Sequence, residues 1–294
     1  MPSKLQGVLR PQVSRFRLGD FEITNILDGV AQRPGPHPGF GANVSAEEVH
    51  ALCIANNLPP KMLEHGFVPT LLDTGKELVL FDAGNGEFRR KDGVGKLHSL
   101  LPAAGYRPED IDVVVITHGH PDHIAGLVED GKPAFPNARY VFGRAEYDYW
   151  VKGENIRERR LANQKQFVEI CVPLAPRATF AEPGTEILPG VTAVEAYGHS
   201  AGHMAYHIES AGQRLLLMAD VTNHYVVSLQ VPDWHGDFDD DKDRAVATRK
   251  RILDMVATDH LWAIGFHMPF PAIGFVERTP RSYRWVPATY QLNF

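Results

Sequence analysis

The sequence predicts an α/β fold: one domain in which two sheets lie back to back under helices, a four-layer αββα sandwich. Three observations predict it. Short β-branched apolar runs alternate with helical stretches over the 294 residues. No low-complexity linker and no fixed-period repeat divides them, so 1–294 reads as a single domain, with 1–66 an N-terminal extension and loop packed on it. Several apolar runs end in His- or Asp-bearing loops, as strands do at the carboxyl edge of an open α/β sheet, where ligands bind.

The elements follow in order. Residues 21–27 alternate and run into Asp28-Gly29, a strand with its turn. Residues 32–41 carry Pro34, Pro36 and Pro38 and three glycines, which predicts a loop long enough for a lid or arm. Ser45-Ala46-Glu47-Glu48 is a capping box, so a helix should cover 49–55. Residues 67–72 and 78–81 flank Asp73-Thr74-Gly75-Lys76, a hairpin whose second strand meets Asp82-Ala83-Gly84-Asn85-Gly86. A helix is expected within 93–104, a buried strand over 111–116, a helix from 124 to 128 and a strand over 139–142. Residues 144–151 and 155–170 read as helices, with Arg157-Glu158-Arg159-Arg160 on a polar face. Strands should recur at 191–196, 204–208 and 214–218, then a helix over 239–257 and a strand over 262–266. The acidic run 237–241 reads as capping and dipole complementation for that last helix.

Composition narrows the function classes. Hydrophobic residues make up 44% and charged residues 22%, enough for a sizeable core. A formal charge of -6 without a basic stripe argues against a nucleic-acid partner. The two cysteines, Cys53 and Cys171, sit in apolar helical contexts and read as buried small hydrophobes, not as a disulfide or a thiolate metal site. No run of about 18 apolar residues exists, so no membrane span is expected. Residues 1–17 lack the apolar stretch of an export signal, and the expectation is a cytoplasmic protein.

The chemistry concentrates in Thr117-His118-Gly119-His120-Pro121-Asp122-His123, at the end of the 111–116 run. Imidazole nitrogen and carboxylate oxygen form the ligand set of Zn²⁺ and similar divalent ions. One loop cannot close such a site. Gly198-His199-Ser200-Ala201-Gly202-His203, Asp220 and His267 each follow a predicted strand and can meet the first loop at the same sheet edge.

Read together, these motifs resemble the metallo-β-lactamase superfamily, from Val68 to Trp285. The resemblance implies the αββα sandwich of that family and two metal ions, most often zinc, with iron, manganese or cobalt as variants. It implies that His118, His120 and His199 hold one ion, that Asp122, His123 and His267 hold the other, and that Asp220 bridges them. Asp122 and Asp220 would be the catalytic carboxylates. Asp82 would support the loops without touching metal, and His203 would stand behind the ligands. His120, where the di-iron redox branch has Glu, counts against a redox protein. Asp220, where thiolate-bearing β-lactamases have Cys, counts against antibiotic hydrolysis.

The stretch Phe266 to Gly274 and Tyr283-Arg284-Trp285-Val286-Pro287 are similar to the methyl parathion hydrolase group, whose relatives cleave lactones, aryl esters and phosphotriesters. N-acyl homoserine lactonases carry Tyr three residues after the bridging Asp, and this chain has Asn223 there, followed by His224. The resemblance therefore implies a hydrolase of lactones or other carboxylic esters, with phosphotriesters as the alternative main substrate and a di-iron redox protein behind both. Homodimers are frequent among the relatives, so a homodimer is the expectation. A leaving group needs an apolar wall. Trp150, Phe167, Trp234, His235 and Phe270 flank the metal loops in sequence and are candidates, with Asn223 and His224 as polar contacts.

Overall fold

The computed structural model describes residues 8–288. The chain opens with β1 (Val13–Leu18), β2 (Phe21–Ile26) and β3 (Gly29–Pro34), then α1 (Ala46–Ala55) and β4 (Met62–Phe67). Next come β5 (Thr70–Asp73), β6 (Leu78–Phe81), the single turn α2 (Leu97–Leu100), β7 (Val113–Ile116) and α3 (Pro121–Ile124). A small ribbon, β8 (Val128–Glu129) and β9 (Lys132–Pro133), precedes β10 (Arg139–Gly143), α4 (Arg144–Lys152), α5 (Leu161–Cys171) and β11 (Ala178–Ala181). The second half is β12 (Glu186–Leu188), β13 (Val191–Glu195), β14 (Met204–Ser210), β15 (Gln213–Ala219), α6 (Lys242–Thr258), β16 (Trp262–Gly265), β17 (Ile273–Arg278) and β18 (Tyr283–Pro287).

Two seven-stranded sheets result, ordered β1-β2-β5-β6-β7-β10-β11 and β12-β13-β14-β15-β16-β17-β18. The period-2 geometry of a strand explains the four layers. In β7, Val113 and Val115 point into the core between the sheets, where Leu215 and Leu217 of β15 meet them. Val114 and Ile116 point the other way, into a helical layer that includes Trp150 and Phe167. In β15, Leu216 and Met218 face α6 through Ile252, Leu253 and Val256. Strands buried on both faces must read as unbroken apolar runs, which is how 113–116 and 215–218 look. Among the described residues no helix is long and apolar enough to cross a membrane.

Several expected elements shift. Residues 32–34, expected in a loop, belong to β3, which pairs with β4 in a separate two-stranded ribbon. Gln32 and Arg33 are exposed there, so no apolar alternation marks the strand. The hairpin strand expected over 67–72 begins only at Thr70, because Phe67 closes β4 and Pro69 lacks a donor. The 93–104 helix is one turn between 3₁₀ segments, with Pro102 starting the second. The helix expected from Ile124 starts earlier, with Pro121 in its first turn and His120 as its N-cap. The helix expected over 155–170 runs Leu161–Cys171, after a 3₁₀ turn at Glu158–Arg160. In the acidic run only Asp241 caps α6, accepting the Arg244 N–H at 3.0 Å, whereas Asp239 is fully buried and turns toward His199. The single-domain boundaries 1–294 include residues 1–7 and 289–294, which lie outside the described residues.

Candidate metal centre

The sheet edge positions each donor through a separate loop. The loop after β7 carries His118 and His120 in extended backbone, and the first turn of α3 then swings Asp122 and His123 back over them. Asp82, just past β6 at φ 61°, locks this loop: its carboxylate accepts the Thr117 N–H at 2.9 Å and faces His123 Nδ1 at 2.8 Å. The loop after β13 turns at Gly198, φ 127°, where a Cβ would stand 2.3 Å from the Ala245 nitrogen. Only glycine allows that approach, and it puts His199 next to the N-terminus of α6. Asp220 follows β15 and His267 follows β16.

The donor atoms converge in two groups. Nδ1 of His120 stands 3.0 Å from His118 Nε2 and 3.0 Å from His199 Nε2. Imidazole nitrogens around one tetrahedral zinc stand about 3.3 Å apart, so the triangle has the size an ion of that class needs. In the second group, His123 Nε2 is 3.7 Å from Asp122 Oδ2 and 3.4 Å from Asp220 Oδ1. His267 Nε2 is 3.5 Å from Asp122 Oδ2 and 3.2 Å from Asp220 Oδ2. Asp220 Oδ2 also lies 3.2 Å from His199 Nε2 and 3.9 Å from His118 Nε2, so this carboxylate stands between the two groups. All seven expected donors meet: His118, His120 and His199, then His118, His123 and Asp220, then Asp122, His123 and His267 each form a triad within 4.8 Å donor to donor.

Two further observations fit a dinuclear centre. His123 Nε2 and Asp220 Oδ1 are buried without a hydrogen-bond partner, a costly arrangement unless a cation completes it. The outer ring nitrogens, by contrast, are oriented: His118 Nδ1 by Thr117 Oγ1 at 3.1 Å, His199 Nδ1 by Asp239 Oδ1 at 2.9 Å, His267 Nδ1 by the Gly66 carbonyl at 2.8 Å. That is how proteins fix a metal-binding imidazole. His203 accepts the Asp220 N–H at Nε2, 3.2 Å, and donates from Nδ1 to the Ala196 carbonyl, 2.9 Å, so it holds Asp220 from behind.

Without cations the cluster is electrostatically divided. Burial, then neighbouring cationic groups, holds His118 and His120 well below the usual imidazole range, in the neutral form a ligand requires. For His199 burial pulls the same way, but Asp220 and Asp239 outweigh it and raise the ring to about 9. Burial likewise opposes charge on His123, and Asp82, Asp220 and Asp122 overcome it. Burial disfavours the Asp220 carboxylate, yet His267 and His123 hold it well below its usual range. A divalent ion is the charge that would relieve both carboxylates and displace those protons.

Three supporting groups received no role in the sequence reading. Glu146, fully buried, accepts from Gly119 N at 2.7 Å, Trp150 Nε1 at 2.6 Å, Ser200 Oγ at 2.5 Å and Gly202 N at 2.7 Å. Arg249, also fully buried, bonds Asp239 Oδ2 at 3.1 Å and the carbonyls of Val221, Pro232 and Trp234. His65 stacks on His267, ring centroids 3.9 Å apart. An acidic residue early in a helix and an arginine in a basic helix carry no sequence signal that marks them as buried.

The expected substrate wall is only partly where it was placed. Trp150 and Phe167 are fully buried in the helical layer behind the centre, because Trp150 Nε1 is committed to Glu146 and its ring packs edge-on to His120. Trp234 packs with Phe40 and Val49 instead, and His235 lies 3.6 Å from Asp243. Neither borders the donors. Two adjoining cavities do exist. A more polar cleft of about 310 Å³ is lined by five of the donors, His120, Asp122, His199, Asp220 and His267, and by Asn223. A mostly apolar cavity of about 590 Å³ is lined by Val30, Leu63, Tyr225, Phe270 and His224. His267 borders both. Asn223 spends Nδ2 on Asp220 Oδ2 at 2.7 Å, so its amide steadies that carboxylate.

Comparison with known proteins agrees with this geometry. The profile of the Metallo-beta-lactamase superfamily matches residues 69–262. An N-acyl homoserine lactonase of Bacillus cereus is 26% identical over 161 residues, 55% of this chain and 57% of that protein. A probable metallo-hydrolase of Mycobacterium tuberculosis is 29% identical over 178 residues, 52% of this chain and 56% of that protein. The chain thus spans little more than half the length of these relatives. Among solved structures, AidC, a dizinc quorum-quenching lactonase in complex with a product, superposes with a TM-score of 0.89 at 26% identity, covering 95% of this chain and 98% of that one. The hydrolase AbOPH shares the fold, with a TM-score of 0.86 at 24% identity over 97% of this chain and 100% of that one. The matched profile spans more than half the sequence and takes in six of the seven converging donors, His267 lying just beyond it; the chain belongs to the metallo-beta-lactamase superfamily.

Proposed function

We propose that the chain is a dizinc hydrolase of lactones and related carboxylic esters. The observation that carries this reading is the shared wall at His267: a donor-lined cleft opens beside an apolar cavity large enough for an acyl or aryl substituent. The lactonase relatives and the dizinc lactonase neighbour support it.

In this reading His118, His120 and His199 would hold one cation, Asp122, His123 and His267 would hold the other, and Asp220 would serve both. Such a pair supplies two things when bound: it brings a water's pKa toward neutrality and polarises the ester carbonyl. The chain supplies the rest. Asp82, Asp239 and the Gly66 carbonyl fix the imidazoles, so little reorganisation accompanies the reaction. Asp220, standing between the two groups, would orient the attacking water. Asp122, at the more open edge of the cleft, accepts the proton of the attacking water and returns it to the departing alkoxide. The water oxygen bonds to the acyl carbon, the acyl C–O bond breaks, and a lactone leaves as one hydroxy acid. Phe270 and Tyr225 line the cavity that shelters the apolar substituent.

The test is turnover of dihydrocoumarin, an N-acyl homoserine lactone and paraoxon on one zinc-loaded preparation, with elemental analysis of the protein as purified. Lactone or aryl-ester turnover that exceeds paraoxon turnover is expected. Fast paraoxon turnover beside negligible lactone turnover would reverse the assignment, and a coloured iron centre that cycles between oxidation states would replace it with a redox function. Light scattering tests the homodimer that the resemblance implies.

A further inference from the structure

Arg33 is a cation without a counterion. It stands on β3, opposite Leu63 of β4, and lines the polar cleft with the metal donors. Among the described residues it takes part in no ion pair, and its nearest polar side-chain contact is His65 Nδ1 at 3.5 Å, long for a hydrogen bond. Arg89 lines the same cleft over the Phe67 ring, 5.5 Å from its centroid. Its Nη1 bonds Asn85 at 2.8 Å, and its one carboxylate contact, Asp92 at 3.4 Å, is long and solvent-exposed. Arg160, the third guanidinium at this cleft, is committed to Asp240 and the Phe238 carbonyl. Partial desolvation of its guanidinium in the cleft, although much of the side chain is exposed, and the charge of Arg89 disfavour the Arg33 cation, and Asp122 favours it.

That one favourable partner is itself a donor of the metal centre. Two divalent cations would outweigh the carboxylates of Asp122 and Asp220, and the cleft would then be positive on every side. A planar guanidinium fork matches the paired oxygens of a carboxylate, as it does those of a phosphate. The reaction proposed above releases a carboxylate in this cleft.

We propose that Arg33, assisted by Arg89, forms a carboxylate-binding subsite on the rim of the metal cleft, so that the enzyme recognises an acidic group on its substrate or product. The proposal rests on the hydrolase reading for the origin of the carboxylate, not for its binding. Apolar substituents then lie on the far side of β3, in the cavity past Gln32, and the acid lies on the Arg33 side.

The test uses the zinc-loaded full chain and matched pairs of probes. Calorimetry compares 3-(2-hydroxyphenyl)propanoate, the acid from dihydrocoumarin, with its primary amide. A second arm compares KM for a lactone bearing a pendant carboxylate with KM for the same lactone bearing a primary amide. The wild-type chain should favour the acid about tenfold or more in at least one arm, and that arm identifies the product or the substrate as the source. R33Q should reduce the preference several-fold at unchanged zinc stoichiometry, and R33Q/R89Q should reduce it further, to what the cations alone give. Should R33Q bind less zinc, R33K serves instead: it keeps the charge but loses the fork, and should fall between the two. No preference in the wild type, or one as large in R33Q/R89Q as in the wild type, overturns the subsite. Calorimetry reads the subsite even if dihydrocoumarin is never turned over, so failure of the hydrolase reading is seen separately.

Discussion

Glu146 accepts the N–H of Gly119 at 2.7 Å through Oε1, while its Oε2 accepts the N–H of Gly202 at 2.7 Å. One buried carboxylate therefore spans the loop of His118 and His120 and the loop of His199. The glycines are required for the approach: a Cβ on Gly119 would stand 2.3 Å from Trp150 Nε1, and one on Gly202 would stand 2.1 Å from the Glu146 nitrogen. Burial raises the Glu146 carboxyl, and the four donors work against that rise.

Glu146→Gln should loosen the first metal triad without unfolding the chain. An amide brings an NH₂ toward donors that need an acceptor. Zinc affinity at that triad should fall about 10- to 100-fold, read by competition with a chelator while circular dichroism stays unchanged. Unaltered zinc affinity would show that the loops hold their spacing without it.

His118→Ala and Asp220→Ala remove donors but leave the sheets intact. Elemental analysis should find fewer than two divalent ions per chain, with near-complete loss of hydrolysis and a native far-ultraviolet spectrum. Full metal content in either variant would contradict the ligand assignment.

Arg249 and Asp239 form a buried ion pair at 3.1 Å behind His199. Removing one partner of such a pair leaves the other charged and poorly solvated. Arg249→Met should cost about 3–5 kcal/mol, measured as a lowered urea midpoint. A loss below about 1 kcal/mol would mean that the carbonyl contacts of Arg249 matter little and that Asp239 stays satisfied by His199 alone.

His224 gives a pH dependence with a definite sign. Burial first, then the charge of His267, lowers its pKa to about 4, and its Nδ1 accepts the Val226 and Val227 N–H groups at 3.0 and 3.3 Å. The unfolded chain binds a proton near the usual 6.5, the folded chain only near 4. Stability is therefore unaffected by this group above 6.5 and falls as pH drops from 6.5 to 4, by roughly 3 kcal/mol in all. Asn mimics the Nδ1 acceptor without titrating, so His224→Asn should lose less stability than wild type between pH 7 and pH 4.5. Parallel urea-midpoint curves would refute this account.

Some of this molecule was written in its sequence. Doubly buried strands such as β7 and β15 have to be continuous apolar runs, and the capping box at Ser45 dictates its helix through local hydrogen bonds. The seven donors were legible because strand-end loops with His and Asp at short spacing do little else well. Elements with exposed side chains were not legible: β3 has no apolar alternation, yet it forms the partition between the two cavities and presents Arg33.

What the tertiary structure alone decided is which ordinary residues become electrostatic partners. Nothing local distinguishes Glu146 from a solvated helix acid, Asp239 from a helix cap, or Arg249 from a surface cation. Their roles depend on burial and on hydrogen-bond partners 27, 40 and 28 positions away, at Gly119, His199 and Val221. Trp150 and Phe167 show the same principle in reverse: aromatic residues near the motif in sequence became its backing, because a sheet edge has a core side as well as a solvent side.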